Sequence, residues 1–291
     1  MIKLNFLDRV VAGVVMACAI TAAAAAQDSF FAKWQARATA TQDLQPHWAT
    51  PLATSTPRLD QAMRMEFVRQ TNAKRYDTWN LGNNKGLELI PERHTEIVFG
   101  VPPFFSHSQP AVKDGFGDFW FQGKYRLFTR DEKHGNAMVT AIVYGTLPTG
   151  KDSNGTCCAV VTPTIGAGKG FRRFDAVTTL GGALPVTNAH ELGRSIAWNT
   201  AAQYRVGTGH VTRLLVPEVE SNSTFYYGGP NDGKIATFGT VGMIIGRIPL
   251  SHEATGKPGR RALTFGGGEQ IALTHFHTYN HELLLTLRLP F

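Results

Sequence analysis

The end of the chain constrains the fold most. Leu283, Leu285, Leu287, Leu289 and Phe291 share one face of an extended segment, while Glu282, Thr286 and Arg288 share the other. Successive side chains of a strand point to opposite faces. An apolar face backed by ionised residues suits a wall between lipid and an enclosed polar interior. The pattern recurs upstream. Phe119, Phe121, Tyr125 and Leu127 alternate with Asp118, Trp120, Gln122, Lys124 and Arg126; Ile196, Trp198, Ala202, Tyr204 and Val206 with Asn199, Gln203 and Arg205; Met63, Met65 and Phe67 with Arg64, Glu66 and Gln70. A soluble sandwich would not repeatedly place Arg and Lys on its enclosed face.

Past residue 26 no apolar run approaches the ~20 residues of a membrane helix. Membrane insertion then requires a closed barrel, in which strands satisfy every backbone N–H and C=O. The expected fold is all-β, a closed antiparallel transmembrane β-barrel of about twelve strands, an even number that leaves both ends on the periplasmic side. The strands are expected near 60–70, 83–90, 93–102, 115–128, 135–147, 157–169, 173–186, 192–206, 210–220, 235–249, 261–276 and 281–291. Short periplasmic turns are expected at Pro91-Glu92-Arg93, Gly170 to Arg172 and Gly207 to Gly209, and longer outer loops at 71–82, 103–114 and 221–234. The turn from Ser251 to Arg260 is long for its side.

The first 26 residues read as a cleavable signal peptide. Lys3 and Arg9 form a positive start, Val10 to Ile20 an apolar core, and Ala24-Ala25-Ala26 a small-residue cleavage site before Gln27. A lipoprotein signal ending at Cys18 fits less well, because Met16 is bulky and the apolar run continues past the cysteine. Residues 27–59, rich in Ala, Thr, Gln and Pro and without period, read as a periplasmic arm or partial plug with a short helix around Phe30 to Arg37; the barrel takes 60–291. The formal net charge is +7, from scattered basic residues. Export argues against nucleic acid, leaving outer-membrane lipids and lipopolysaccharide as the expected neighbours.

Catalytic and metal motifs fare poorly. Gly145 to Lys151 fits the start of a P-loop, but Asp152 stands where the magnesium-binding hydroxyl belongs and no helix follows. Gly193-Arg194-Ser195-Ile196-Ala197 lacks the last glycine of a nucleophile elbow. His275, His277 and His281 could approach a metal across a hairpin, yet amphipathic His beside Phe276 and Tyr279 also suits a membrane rim, the preferred reading. Cys157 and Cys158, placed at a strand start, would point to opposite faces and pair poorly; they read as small fillers. The expectation is no enzyme, no cofactor and no metal.

The charges remain. Arg64, Glu66, Glu96, Asp118, Lys124, Arg126, Asp175, Arg205, Glu218, Glu220, Glu282 and Arg288 fall on inward faces. They serve either a selective pore or a salt-bridged interior filling a narrow barrel. Asp118, Lys124, Arg126, Arg205, Glu218, Glu220 and Arg288 are the candidate pore-lining residues.

Several short stretches, in order and at strand spacing, resemble the outer-membrane barrels of the meta-pathway phenol-degradation family. They are Gly82-Asn-Asn-Lys-Gly86, Gly115-Phe-Gly-Asp118, Lys124-Tyr-Arg-Leu127, Leu147-Pro-Thr-Gly150, Thr162-Pro-Thr-Ile165, Gly168-Lys-Gly170, Thr179-Leu-Gly181 and Leu184-Pro185. The resemblance implies an exported barrel of the Gram-negative outer membrane that moves aromatic or other hydrophobic compounds, and it transfers no catalytic motif. The terminal Phe291 likewise resembles the C-terminal signature that barrel-insertion machinery recognises. A passive channel or facilitator for small molecules is the leading expectation. A structural or adhesive barrel with a filled lumen, and an outer-membrane lipid hydrolase using Ser195, are the alternatives.

Overall fold

Alternation becomes closure through the first and last strands. The computed structural model describes residues 30–250 and 261–291, apart from 84, 208 and 210; the expected signal peptide at 1–26 and the body of the 251–260 turn lie outside the described residues. Helix α1 (Phe30–Asp43) is followed by β1 (Ala62–Thr71), β2 (Asp77–Leu81), β3 (Gly86–Glu92), β4 (Thr95–Gly100), β5 (Phe104–His107), β6 (Gly115–Phe116), β7 (Phe119–Arg130) and β8 (Ala137–Leu147). Then come β9 (Val160–Phe171), β10 (Phe174–Pro185), β11 (Arg194–Tyr204), β12 (Leu215–Tyr227), β13 (Ile235–Pro249), β14 (Ala262–Ala272) and β15 (His281–Pro290). Neighbouring stretches pair antiparallel in one sheet, and β1 zips to β15 from Ala62↔Pro290 to Thr71↔His281. Residue parity is kept across that seam, so Arg64 faces Arg288 and Met65 faces Leu287.

The sheet has 15 stretches but 12 crossings. β2 and β3 both run antiparallel to β1, β2 against Phe67–Thr71 and β3 against Ala62 and Met63, so they are halves of one crossing. β5 and β4 continue each other in the same way, as do β6 and β7. The breaks lie side by side at 82–85, 101–103 and 117–118. Pro102 and Pro103 cannot donate to a ladder, and Gly82 (φ +108°) and Asn83 (φ +37°) adopt left-handed backbone. The wall stays tied there, because the Gly82 N–H donates to Glu66 O and the Gly117 N–H to Pro103 O, each at 2.7 Å.

The connections differ from the sequence expectation in several places. The outer loops placed at 71–82 and 103–114 contain β2 and β5, stretches too short to show a period. Much of 221–234 is strand, since β12 continues to Tyr227. Its Ser221 and Ser223 look like loop residues, yet they pair with Gly239 and Thr237, and the Ser223 and Thr237 hydroxyls lie 3.0 Å apart. The turn at Pro91 to Arg93 falls instead on Arg93 and His94. The connection expected to be short at Gly207 to Gly209 spans 205–214 and contains a 3₁₀ turn at Thr212–Leu214 before β12. The helix expected near Phe30 to Arg37 runs on to Asp43, just before Pro46.

The two faces of the wall separate cleanly. Val241 is 68%, Trp198 56% and Leu285 46% exposed, whereas Arg288 is 6% and Lys124 and Glu220 are each 5% exposed. Burying ionised groups around one enclosed space excludes two stacked sheets with a dry core.

Candidate functional site: the barrel interior and the segment crossing it

Residues 44–61 connect α1 to β1 through the interior. Pro46, Pro51 and Pro57 interrupt them, so they form neither helix nor strand. Trp48, Leu52, Thr54 and Leu59 are nonetheless at most 1% exposed. An irregular backbone enclosed this way must find hydrogen-bond partners elsewhere, and the wall supplies them. Carboxylates take its N–H groups: Glu218 accepts from Leu52 N (2.9 Å), Glu220 from Ala53 N (2.8 Å) and Thr54 N (2.5 Å), and Glu96 from Asp60 N (2.5 Å). Cations take its carbonyls. Arg288 donates to Thr50 O (2.5 Å) and Pro51 O (2.8 Å), Arg64 to Pro51 O (3.3 Å) and Leu52 O (3.2 Å), and Lys124 to Arg58 O (3.0 Å). Thr140 donates to Pro57 O, and the Tyr144 hydroxyl to Ser55 Oγ.

The same wall charges pair with one another. Lys124 lies 2.8 Å from Glu96, Arg64 is bonded to Glu66, and Gln203 donates to Glu218 at 2.8 Å. Such charge-assisted bonds contribute roughly 1.5–3 kcal/mol each.

Small residues in the wall leave room for the large side chains of the segment. A Cβ at Gly168 would stand 2.2 Å from the Trp48 ring; Cβ atoms at Gly242, Gly266 and Gly268 would stand 2.3, 2.6 and 2.8 Å from the Leu52 methyls. Trp48 then donates from Nε1 to Asn136 Oδ1 at 2.8 Å and packs with Ala38, Leu59, Ile90, Met138 and Val177. Leu52 packs with Val216 and Ile244. At the terminal end, Arg126 donates to Thr41 O (2.9 Å) and Arg93 O (2.7 Å), holding α1 across the mouth.

The expected lining residues therefore divide. Lys124, Arg126, Glu218, Glu220 and Arg288 grip the N-terminal segment, mostly through its main chain. Arg205 lies just past β11 and pairs with Asp175 at 3.3 Å. Asp118 sits in a strand break and accepts from Gly150 N, Thr156 N and Thr156 Oγ1, anchoring the connection 148–159. Within the P-loop-like stretch the Gly150 amide is thus turned to a carboxylate, and those of Thr149 and Lys151 to backbone carbonyls. Arg64, Glu96, Thr140 and Asn136 were missing from the shortlist. The glycines facing Trp48 and Leu52 were the available signal, but only long-range pairing reveals what they face.

Three other groups singled out in the sequence have the following surroundings. Cys157 and Cys158 form a disulfide with Cα atoms 3.8 Å apart. They precede β9 inside a connection, so the strand alternation that argued against pairing does not apply. His275 and His277 lie beyond the end of β14; His277 is within hydrogen-bond distance of Thr274 O and Asn280, and His281 of Glu269. Among the described residues no cluster of three or more His, Cys, Asp or Glu could hold a metal. Ser195 has Ala183 and Tyr226 as cross-strand neighbours.

Outside the wall, Glu132 in the β7–β8 turn tethers the segment. It accepts from His47 N at 2.6 Å and lies 3.2 Å from His47 Nδ1. Burial works to raise the Glu132 pKa, but the hydrogen bonds from His47 outweigh it and hold the carboxyl below its ordinary 4.5. A depressed folded pKa stabilises the tether above the unfolded value and loses that contribution as pH falls through the folded one. Protease cleavage of detergent-solubilised protein near residue 47 should therefore rise as the pH falls below 4.5. Glu132→Gln should remove most of that acid dependence; a pH-independent cleavage rate in the parent protein would refute the tether.

Among solved structures, an outer membrane channel from Pseudomonas putida F1 shares the fold, with a TM-score of 0.55 at 15% identity, over 84% of this chain and 100% of that one. No family model matches the sequence, and no curated protein does.

Proposed function

We propose that this protein is a passive channel or facilitator for small molecules in the outer membrane of a Gram-negative bacterium, reached after export to the periplasm. The segment 44–61 acts as its plug. Likeness to a channel supports the class. The observation that carries the reading is the way the interior binds that segment. Glu218, Glu220, Arg64 and Arg288 hold main-chain atoms of residues 50–54, and water can replace main-chain contacts when the segment moves. Flux follows the solute gradient. The resemblance of several stretches to the phenol-degradation barrels suggests aromatic or other hydrophobic compounds as cargo. Lipids and lipopolysaccharide surround the apolar belt, and the strand ending at Phe291 is the insertion machinery's handle.

The extent of the interior contacts favours one competing reading, a structural or adhesive barrel whose lumen is permanently filled. Planar-bilayer recording and liposome swelling separate the two. The channel reading expects conductance steps and solute entry from the refolded protein, whereas a silent bilayer and impermeant liposomes would establish the filled barrel.

A further inference from the structure

We propose that the interior wall on the far side of the plug from α1 and the end of β15 is a solute track selecting uncharged molecules that bear hydroxyl groups. The proposal rests on the channel reading and departs from the hydrophobic cargo that the resemblance implies, because the wall on this side is lined by hydroxyl and amide groups. On β12 the last hydrogen bond to the plug is from the Asn222 amide to Thr54 Oγ1 at 3.2 Å. Inward positions at and beyond that level on β9, β11 and β12 are Thr162, Thr164, Ser195, Asn199, Asn222 and Thr224, all half-buried. They keep the parity of Gly166, Gln203 and Glu220, which face the plug.

The registers make these residues one surface. Asn199 stands between Thr179 and Asn222, Ala197 stands opposite Thr224, and Gly181 lies between Thr164 and Ala197. The Thr164 side chain fills the room beside Gly181, where an added Cβ would stand 2.1 Å from its hydroxyl, and Ala197 is the small residue next to it. The inward charges of these strands lie lower, on the plug, while Glu282 of β15 stands level with Asn222, next to the Gln270 that donates to Asn222 Oδ1 at 3.0 Å. Glu282, near the far end of β15, accepts from Gln70 at 2.5 Å.

Hydroxyl and amide groups both donate and accept, so the wall can replace the hydration of a neutral hydroxylated solute in either sense. An ion moving along this face, from β9 to β12, leaves bulk water without meeting a countercharge on it, a penalty that narrow pores turn into selectivity.

Liposome swelling with the full-length protein tests this, using erythritol, the anion erythronate and the amino-triol cation of the same chain length. Erythritol should enter about tenfold faster than either ion. Asn199→Lys should speed erythronate relative to erythritol, and Asn199→Asp should speed the cation. Heat-modifiable gel mobility checks that each variant has folded. Ions entering as fast as erythritol, or ratios unmoved in both folded variants, would overturn the selectivity while leaving a channel. Entry of no solute at all would overturn the channel reading, and the track with it.

Discussion

Glu218→Gln combined with Glu220→Gln should raise mean single-channel conductance by about an order of magnitude or more. The two carboxylates accept the N–H groups of Leu52, Ala53 and Thr54. Glutamine keeps their size but loses the charge, and its amide group can turn a donor toward a donor. Hydrogen bonds to charged groups are worth about 1.5–3 kcal/mol each, while about 1.4 kcal/mol shifts an equilibrium tenfold. Losing part of three such bonds thus moves the plug population well beyond tenfold. The opposite side of the segment stays held by Arg64 and Arg288, so the variant should flicker rather than stay open. Unchanged conductance in a variant of normal thermal stability would show that the plug is not the barrier.

A second large effect concerns packing. Trp48→Ala should destabilise the protein by about 3–5 kcal/mol, the usual cost of emptying a buried aromatic site, read from urea unfolding in detergent. Gly168→Leu attacks the same contact from the wall, since its Cβ would meet the Trp48 ring at 2.2 Å. Combining them should restore part of the loss because the leucine then occupies the vacated space, a non-additivity that contacting residues show. Strictly additive losses would mean the two positions do not share the site.

Much of the barrel was legible in the sequence because alternation is a local property. Leu285 and Arg288 announce their faces within one strand, and the number of crossings follows from counting such segments. The split crossings were not legible: β5 has 4 residues and β6 has 2, too few for a period to register. Inward charges were visible, but their purpose was not. Glu220 and Arg288 read as pore-facing or mutually paired, whereas their partners are backbone atoms of residues 50–54, and a peptide group looks the same at every position in a sequence. The fit of Leu52 against Gly242, Gly266 and Gly268 joins residues far apart along the chain. The Cys157–Cys158 bond was missed for a local reason, that the expected strand began too early.

The position of the plug sets an order of events during biogenesis. Residues 44–61 emerge before any strand, yet they end up encircled by a ring whose last joint is β1 with β15. Since the helix across the mouth holds one end of the plug and β1 the other, late insertion would mean pushing a loop of polar backbone into a finished cylinder. A sheet that curls around a segment already in place avoids that step, and lets Glu218 and Arg288 meet their partners before the seam is sewn.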